Sequence, residues 1–449
     1  MKQIKILILI TFVVMTSNLA SQNHSYSNKE IASDLAYLKT ELEQNHPNLY
    51  TYSSKEQIDE WFKTKSSNLP DSLTDKEAFK IITSISGLLK DGHSYMYPNA
   101  RHLEEFFKSA PLFPLDVFLM NDNLIVVGNH SNEQNIPLGV VLTRINGIEI
   151  KEIQSLIVQH TCRDGNNLAY PKHLFYQFFP AFYSYFYGFY KSFQIEYITP
   201  KGEQKEIIIQ GLRRSEIKAK KENQQEKGID IKLLLNKKAA FISIKSFDQK
   251  ILKNDYHQKF KKEIKKAFKL LEEEDIEHLA IDLRDNQGGA LSNGVYLLQH
   301  FMDSAFQCVN SYFVLKNGKR KRLHIKWDNY FEPKKKNHFD GKVYIFINGG
   351  SYSCSAIVAN SFKENKRGQV LGQMSGGSAY VNSGGPNERI TLPNTKILFT
   401  IPKTQYNLRS DLEEIVLGVI PDIEIQDKPD RIIEKKDNFI DKFKELTKE

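Results

Sequence analysis

The feature that most constrains this 449-residue chain is a strand that turns abruptly into a helix near residue 350. The sequence VYIFIN at residues 343–348 is apolar and rich in β-branched and aromatic residues, which predicts a buried strand. Gly349 and Gly350 then turn the chain, and the small residues SYSCSA lead into a helical pattern. A hydroxyl at such a helix N-terminus is well placed for nucleophilic attack, because free N–H groups stabilise a developing oxyanion. A simple helix cap is the alternative, since serine is a preferred cap residue.

Strands and helices alternate through the second half of the chain. The strand AAFISI (239–244) precedes a long Lys-rich helix predicted at Lys250–Glu274, and HLAIDLRDNQGGA (278–290) is a buried strand ending in a Gly turn. This order predicts an α/β layered domain with a largely parallel sheet. Ligands bind at the carboxyl ends of strands in such sheets. The turns at 287–289 and 349–355 both lie there, so together they mark a candidate site.

The N-terminal residues and the composition limit the classes of protein to be considered. A basic start, an apolar run too short to span a bilayer and small residues near Ala20 predict a signal peptide at residues 1–20, with export to the periplasm or the exterior. An uncleaved N-terminal anchor is the alternative. No later stretch predicts a membrane span. The net charge of +8 comes from dispersed lysines without interleaved aromatic residues, so nucleic acid is not an expected partner.

Residues 27–108 are predicted to form an N-terminal helical domain. Helix-period apolar residues recur along it, and two capping boxes begin at Ser54 and Thr74. A third helix, predicted at Phe79–Leu89, is followed by the stop signal KDG. His93 comes next, so a short turn holds it while leaving it accessible. An incidental loop histidine is the alternative interpretation.

Residues 110–212 are predicted to form a β-rich module. The segment at 136–160 predicts a strand, an Asn-Gly turn, a short strand and a helix, which resembles a PDZ-like module that binds extended peptides along a strand edge. Residues 171–193 are unusually aromatic and are expected to pack between domains, with a substrate-facing apolar wall as the alternative. The charged stretch at 213–227 is predicted to be a linker or an exposed loop.

Four motifs in the second half resemble those of the C-terminal-processing, or tail-specific, serine peptidases and their tricorn-like relatives. They are IDLRDNQGG (281–289), NGGSYSCSA (348–356), LGQMSGG (371–377) and LGVIPDIEI (417–425). The DGH turn and the PDZ-like segment also fit this family, so the resemblance covers most of the mature chain. It implies an α/β protein of several domains, with helical and β-rich parts that are separate from the α/β core (an α+β organisation overall). Residues 229–430 would form a layered peptidase core of the ClpP/crotonase-like type, and residues 431–449 a C-terminal helical tail.

The same resemblance implies which residues form the site. The family nucleophile is the middle serine of the S-x-S-x-S turn, here Ser353, and the base of one branch is the histidine of a D-G-H turn, here His93. A carboxylate precedes the G-x-x-P-D motif, so Glu413 or Glu414 is implied, and Glu414 is our prediction. The other branch uses a Ser–Lys dyad with its lysine directly after LGQMSGG, where this chain has Ser378. A dyad of that kind is therefore not expected.

The implied oxyanion hole consists of the N–H of Gly288 or Gly289 together with the N–H of Cys354. The implied function is that of an exported serine endopeptidase that cuts extended or C-terminal polypeptide segments, with a polypeptide as its partner and no cofactor or metal. The alternative is a catalytically silent protein that binds peptides or an apolar ligand on the same scaffold. A lipase-like esterase is disfavoured because GSYSC is not the G-x-S-x-G elbow.

Overall fold

The computed structural model describes residues 25–221, 226–234, 238–316, 319–324, 330–408 and 418–447. The predicted signal peptide at residues 1–20 and the candidates Glu413 and Glu414 lie outside these ranges. Within them the chain is a mixed α/β protein, as predicted. No helix among the described residues combines the length and the apolar character needed to cross a membrane.

Helices dominate the first described region, as predicted. Both predicted capping boxes form, at Ser54 and Thr74. The predicted helix Phe79–Leu89 is interrupted, because the hydroxyls of Thr83 and Ser84 donate to carbonyls of the preceding turn and so compete with the helical hydrogen bonds. In chain order the elements are β1 (Ser25–Ser27), α1 (Asn28–Asn45), α2 (Lys55–Ser67), β2 (Ser72–Thr74), α3 (Asp75–Thr83), α4 (Ser86–Leu89), β3 (Met96–Tyr97) and α5 (Ala100–Lys108).

An antiparallel sheet with the strand order β10-β9-β7-β6-β5 forms the next region. The predicted succession of strand, Asn-Gly turn, short strand and helix is present as β7, β8 and α6. The expectation of a loop at 213–227 is wrong in part, because a capping box between Arg213 and Glu216 starts a helix there. The elements are β4 (Pro111–Leu112), β5 (Leu115–Met120), β6 (Asn123–Asn129), β7 (Val141–Ile145), β8 (Ile148–Glu149), α6 (Ile150–His160), α7 (Ala169–Gln177), α8 (Phe179–Tyr187), β9 (Ser192–Ile198), β10 (Gln204–Gln210), β11 (Leu212–Arg213) and α9 (Arg214–Lys220).

The aromatic segment forms α7 and α8 and packs between these two regions. The ring of Phe186 lies 5.3 Å from that of Phe79 in α3, and the ring of Phe179 lies 5.2 Å from that of Phe113, next to β4. A single apolar cluster joins α1, α3, the antiparallel sheet and Phe399 from the second half of the chain. Large buried rings thus hold the helices and the sheet in one fixed arrangement.

The second half contains the predicted sheet, with the order β12-β13-β14-β17-β18-β21. All pairings are parallel except that of β12 with β13. The elements are β12 (Ile229–Leu234), β13 (Ala239–Ile244), α10 (Gln249–Tyr256), α11 (Phe260–Glu273), β14 (His278–Asp282), α12 (Leu291–Leu298), β15 (Ser311–Lys316), β16 (Lys319–Leu323), β17 (Lys342–Ile347), α13 (Cys354–Glu364), β18 (Gly368–Gly372), β19 (Val381–Thr391), β20 (Leu398–Asn407), β21 (Ile423–Glu424), α14 (Pro429–Ile433) and α15 (Asn438–Leu446).

The single helix predicted at Lys250–Glu274 is wrong, because the chain breaks between α10 and α11. His257 adopts a left-handed conformation with φ of 56°. The Gln258 side chain then exchanges two hydrogen bonds with the backbone of Ile229. These bonds fix the break and leave α10 and α11 free to pack in different directions.

A second sheet, β16-β15-β20-β19, connects the two halves of the chain. The short strand β3 pairs with β20 through Tyr97 opposite Leu398. Because β3 follows the DGH turn by only a few residues, this pairing carries the turn to the carboxyl edge of the parallel sheet. His93 and the turn after β17 therefore approach each other from opposite ends of the sequence.

Candidate active site

The turn after β17 is built around the side chain of Asn348. Its carbonyl oxygen accepts hydrogen bonds from the N–H of Gly350 at 2.9 Å and from that of Asp285 at 3.0 Å. The Ser351 hydroxyl donates to the carbonyl of Leu283 and accepts the N–H of Asn348. The turn is thereby tied to the neighbouring turn after β14, which fixes the start of α13.

Ser353 occupies the N-cap position of α13 in a strained conformation, with φ of 53° and ψ of −123°. Its carbonyl accepts the N–H of Ile357 and starts the helix, but its hydroxyl makes no capping bond. Strained non-glycine residues persist where the surrounding structure enforces them, and they concentrate at functional sites. The geometry thus disfavours the helix-cap interpretation and presents a partly exposed hydroxyl.

His93 meets that hydroxyl. Its Nε2 atom lies 3.1 Å from Ser353 Oγ, within hydrogen-bond reach. The Asp91 carboxylate orders the turn by accepting the N–H of His93 at 2.9 Å and the hydroxyl of Ser94 at 3.1 Å. A further hydrogen bond from Ser383 of β19 fixes Asp91 to the second sheet. The histidine is therefore held in place, unlike an incidental loop residue.

The opposite side of the imidazole faces Tyr352, the residue before the serine. The Tyr352 hydroxyl lies 2.9 Å from His93 Nδ1 and donates to Asp164 at 3.3 Å. Asp164 also accepts the N–H of Gly92 at 2.9 Å and that of Ser378 at 3.1 Å. Ser353, His93, Tyr352 and Asp164 thus form a continuous chain of polar contacts.

Burial dominates the electrostatics of this chain. It lowers the pKa of His93 to about 4, although the Asp91 carboxylate opposes the shift. Burial also raises the pKa of Asp164 to about 7, and the charge of Asp91 adds to the effect. The pKa of the Tyr352 phenol is raised well above its usual value by burial. Burial acts to raise the pKa of Asp91 as well, but His46, His93 and a hydrogen bond from Ser383 lower that pKa and hold it below the usual value.

The predicted oxyanion-hole residues lie next to the serine. A Cβ on Gly288 would come within 2.8 Å of the Ser353 Cβ and of the Cys354 nitrogen, so only glycine permits this close approach. The N–H of Gly288 already donates to Asn286 at 2.9 Å. In the described ranges the N–H groups of Gly289 and Cys354 take part in no hydrogen bond, which favours these two as the donors.

Two polar side chains of the site were missed from the sequence. Tyr352 stands inside a predicted motif, but nothing local indicates that its hydroxyl reaches a histidine 259 positions away. Asp164 belongs to an Asp-Gly pair after α6, and such a pair ordinarily predicts a turn. Within the described chain no group of three or more His, Cys, Asp and Glu residues is arranged to hold a metal ion.

Comparison with protein families places these residues in context. Residues 238–425 match the model of peptidase family S41. The match confirms the predicted resemblance for this segment of the chain. Ser353 and Tyr352 lie inside this S41 segment, whereas His93 and Asp164 precede it.

Individual relatives agree with the family match. A probable CtpA-like serine protease of Staphylococcus epidermidis is 29% identical over 130 residues, which are 29% of this chain and 25% of that protein. A carboxyl-terminal-processing protease of Picosynechococcus is 24% identical over 177 residues, 39% of this chain and 38% of that one. CtpB of Bacillus subtilis is 32% identical over 134 residues, 28% and 25% of the two chains. The matches thus span between a quarter and two fifths of these relatives.

Solved structures extend the likeness of the fold beyond the S41 segment. The crystal structure of mature CPAF superposes with a TM-score of 0.68 at 13% identity, covering 94% of this chain and 97% of that one. A putative peptidase from Parabacteroides merdae superposes with a TM-score of 0.50 at 14% identity, covering 94% and 98%. At these identities the comparison shows a shared fold, which covers 94% of this chain.

Proposed function

We propose that the protein is a serine endopeptidase that hydrolyses extended or C-terminal segments of polypeptides. One observation carries the proposal: the 3.1 Å contact between His93 Nε2 and the hydroxyl of the strained Ser353. A serine hydroxyl is a weak nucleophile unless an adjacent base takes its proton during attack. His93 is neutral at physiological pH, because burial lowers its pKa to about 4, and its Nε2 atom lies within reach of that proton.

The reaction follows from this arrangement. Ser353 Oγ attacks the scissile carbonyl while its proton passes to His93 Nε2, and the resulting oxyanion is stabilised by the N–H groups of Gly289 and Cys354. His93 then gives the proton to the leaving amine, and the peptide bond breaks with an acyl group on Ser353. Water then attacks the acyl carbon while His93 takes its proton, the bond from the acyl carbon to Ser353 Oγ breaks, and His93 returns the proton to Ser353 Oγ as the carboxylic acid product leaves. Burial raises the pKa of the Cys354 thiol, so this neighbour stays neutral and does not compete as nucleophile.

The substrate class rests on two supports. The relatives from Picosynechococcus and Arabidopsis thaliana are named as carboxyl-terminal-processing enzymes. The antiparallel sheet contains the predicted succession of strand, Asn-Gly turn, short strand and helix that resembles a PDZ-like module, and residues of β7, β9 and β10 line an open groove of about 640 Å³. An extended peptide that pairs with the edge strand β10 of this sheet would gain affinity from backbone hydrogen bonds, which do not depend on the sequence of the peptide. The groove is lined by residues 122–123, 141–144, 149–151, 196–198 and 204–206.

Other parts of the proposal rest on the sequence alone. Export follows from the signal peptide predicted at residues 1–20, and the ClpP/crotonase-like assignment of the core follows from the family resemblance. Glu414 remains the carboxylate that the resemblance implies. The domain boundaries 27–108, 110–212 and 229–430 also remain predictions.

A catalytically silent binding protein is disfavoured, because binding alone gives no reason for a strained serine within reach of a neutral histidine. Ser353→Ala tests this directly. The assay follows cleavage of an unstructured reporter polypeptide with a free C-terminus, together with labelling of the serine by a fluorophosphonate. We expect Ser353→Ala to abolish both signals, with activity reduced by about 10⁴-fold or more.

Ser355→Ala is the matched control, because it is the same substitution two positions along the chain. Ser355 is fully buried and its hydroxyl has no hydrogen-bond partner among the described residues. We expect this variant to retain activity and labelling. Cleavage that persists in the Ser353→Ala variant would refute the proposed function.

A further inference from the structure

The Nδ1 atom of His93 determines whether this histidine can act as a base. Nε2 can take a proton from Ser353 only if the neutral imidazole carries its hydrogen on Nδ1. That hydrogen needs an acceptor, and Tyr352 Oη lies 2.9 Å from Nδ1. The atom that the family resemblance pairs with Glu414 is thus already in contact with a tyrosine.

The position of Tyr352 is enforced from several sides. The side chain is fully buried, and its ring stacks on that of Tyr170 with centroids 4.0 Å apart and an angle of 9° between the planes. Its backbone N–H donates to the carbonyl of Asn286 at 3.1 Å. Gly92 leaves the space for the hydroxyl, because a Cβ there would lie 2.0 Å from Tyr352 Oη. A phenol held this firmly gives the imidazole little freedom to rotate.

Asp164 sets the direction of the hydrogen bonds. An ionised carboxylate only accepts. The backbone N–H groups of Gly92 and Ser378 fill part of its capacity, and the Tyr352 hydroxyl donates to it at 3.3 Å. Because the single hydrogen of that hydroxyl points to Asp164, its oxygen is left to accept from His93 Nδ1–H. The carboxylate therefore selects the tautomer that leaves Nε2 free.

We propose that Tyr352 and Asp164 are positioning residues that hold His93 in its Nδ1–H tautomer, in the place that the family resemblance assigns to Glu414. The proposal rests on the proposed function only in taking His93 as the base. During attack one proton moves from Ser353 Oγ to His93 Nε2, and Tyr352 and Asp164 keep their protonation states. The resulting imidazolium donates to the Tyr352 oxygen, whose dipole is aligned by the Asp164 charge.

Several titratable groups lie around the chain of polar contacts from Ser353 to Asp164, so their charges must be considered in its pH dependence. Asp91 lies beside His93 and contributes to the electrostatics of Asp164. Tyr52, Tyr170 and Cys162 also interact with Asp164, but burial raises the pKa of each, so they stay neutral. Asp91 is thus the charged neighbour that both His93 and Asp164 share. Protonation of Asp164 would let it donate to Tyr352, which could then turn its own hydrogen towards Nδ1.

The test measures the tautomer directly, by proton–nitrogen correlation spectra of protein labelled in its histidines, with His93→Gln used to assign the resonances. We expect wild-type His93 to carry its hydrogen on Nδ1 at a pH well above 7, where the Asp164 carboxyl, whose pKa is raised to about 7, is ionised. Tyr352→Phe and Asp164→Asn should each lose this preference, and kcat should fall about 10²-fold with KM changed by less than about twofold. Both substitutions preserve size, and circular dichroism establishes that the variants fold.

Tyr176→Phe is the matched control, because Tyr176 bonds the Nδ1 atom of another buried histidine, His173, at 2.8 Å. It should leave the His93 tautomer and kcat unchanged. The proposal is overturned if Tyr352→Phe and Asp164→Asn keep the wild-type tautomer, or if Glu414→Gln alone changes it. The tautomer is measured without substrate. If the protein lacked peptidase activity, the proposed function would be refuted, but the spectra would still show whether Tyr352 and Asp164 hold the His93 tautomer.

Discussion

Replacing Gly92 by alanine should disable the site although Gly92 carries no functional group. An added Cβ would lie 2.0 Å from Tyr352 Oη, 2.7 Å from its Cζ and 2.8 Å from Asp164 Oδ1. The fully buried Tyr352 ring cannot withdraw without leaving its stack on Tyr170. Overpacking of this kind costs about 1–3 kcal/mol, and a buried hydrogen bond left unmade costs about as much again. We therefore expect a loss of stability of about 2–6 kcal/mol and a fall in kcat of at least about 10²-fold.

The assay combines the kinetics of peptide cleavage with thermal unfolding. Gly87→Ala is the control, because within 4 Å its added Cβ would meet, among the described residues outside its own helix, only the flexible end of Arg163 at 3.8 Å. The double variant Gly92→Ala/Tyr352→Phe removes the hydroxyl that clashes, so it should recover part of the stability but none of the activity. A Gly92→Ala protein with wild-type kinetics and melting temperature would refute the argument that this glycine exists to admit the tyrosine.

Three further predictions concern pH and the nucleophile turn. The rate constant kcat/KM should rise with pH in two steps, near pH about 4 as His93 loses its proton and near pH about 7 as Asp164 loses its proton. The Asp164→Asn variant should lose the upper step, and a wild-type profile with one step near 6.5 would contradict the prediction. The free energy of unfolding should fall as pH drops from about 6.5 to about 4, because the histidines bind protons in the unfolded chain but not while they are buried with a pKa of about 4. Each such histidine contributes a slope of about 1.4 kcal/mol per pH unit. They are His93, His102, His160 and His300, and denaturant titrations at several pH values measure the slope. Gly288→Ala should abolish fluorophosphonate labelling by displacing Ser353, whereas Gly147→Ala, at a similar positive φ with open space around its Cβ, should only cost stability.

Local sequence patterns were sufficient for much of the fold. The capping boxes at Ser54 and Thr74 formed as predicted, and so did the strand, turn and helix around Ser353. The errors came from interactions between distant residues. The break at His257 depends on bonds between Gln258 and Ile229, which no helical periodicity in the Lys-rich segment reveals.

The same distinction applies to the candidate site, where motifs in the sequence predicted some residues and contacts between distant residues account for the others. The motifs predicted that His93 and Ser353 act together, and the structure brings them within 3.1 Å. Tyr352 and Asp164 were not predicted, because a buried tyrosine hydroxyl and an aspartate after a helix have common structural explanations. Their role depends on three contacts made at once, with His93, with Gly92 and with each other, and only the folded chain provides these.

The site is assembled from parts of the chain that the S41 segment does not include. That segment supplies Ser353 and Tyr352, whereas the histidine and Asp164 come from turns after α4 and α6. These turns are held against the segment by pairing of β3 with β20 and by the bond from the Ser378 N–H to Asp164. The turn that carries Ser353 therefore contains neither the proposed base nor Asp164, which is proposed to help orient that base. The chemistry proposed at Ser353 requires the first half of the chain to be folded against the second.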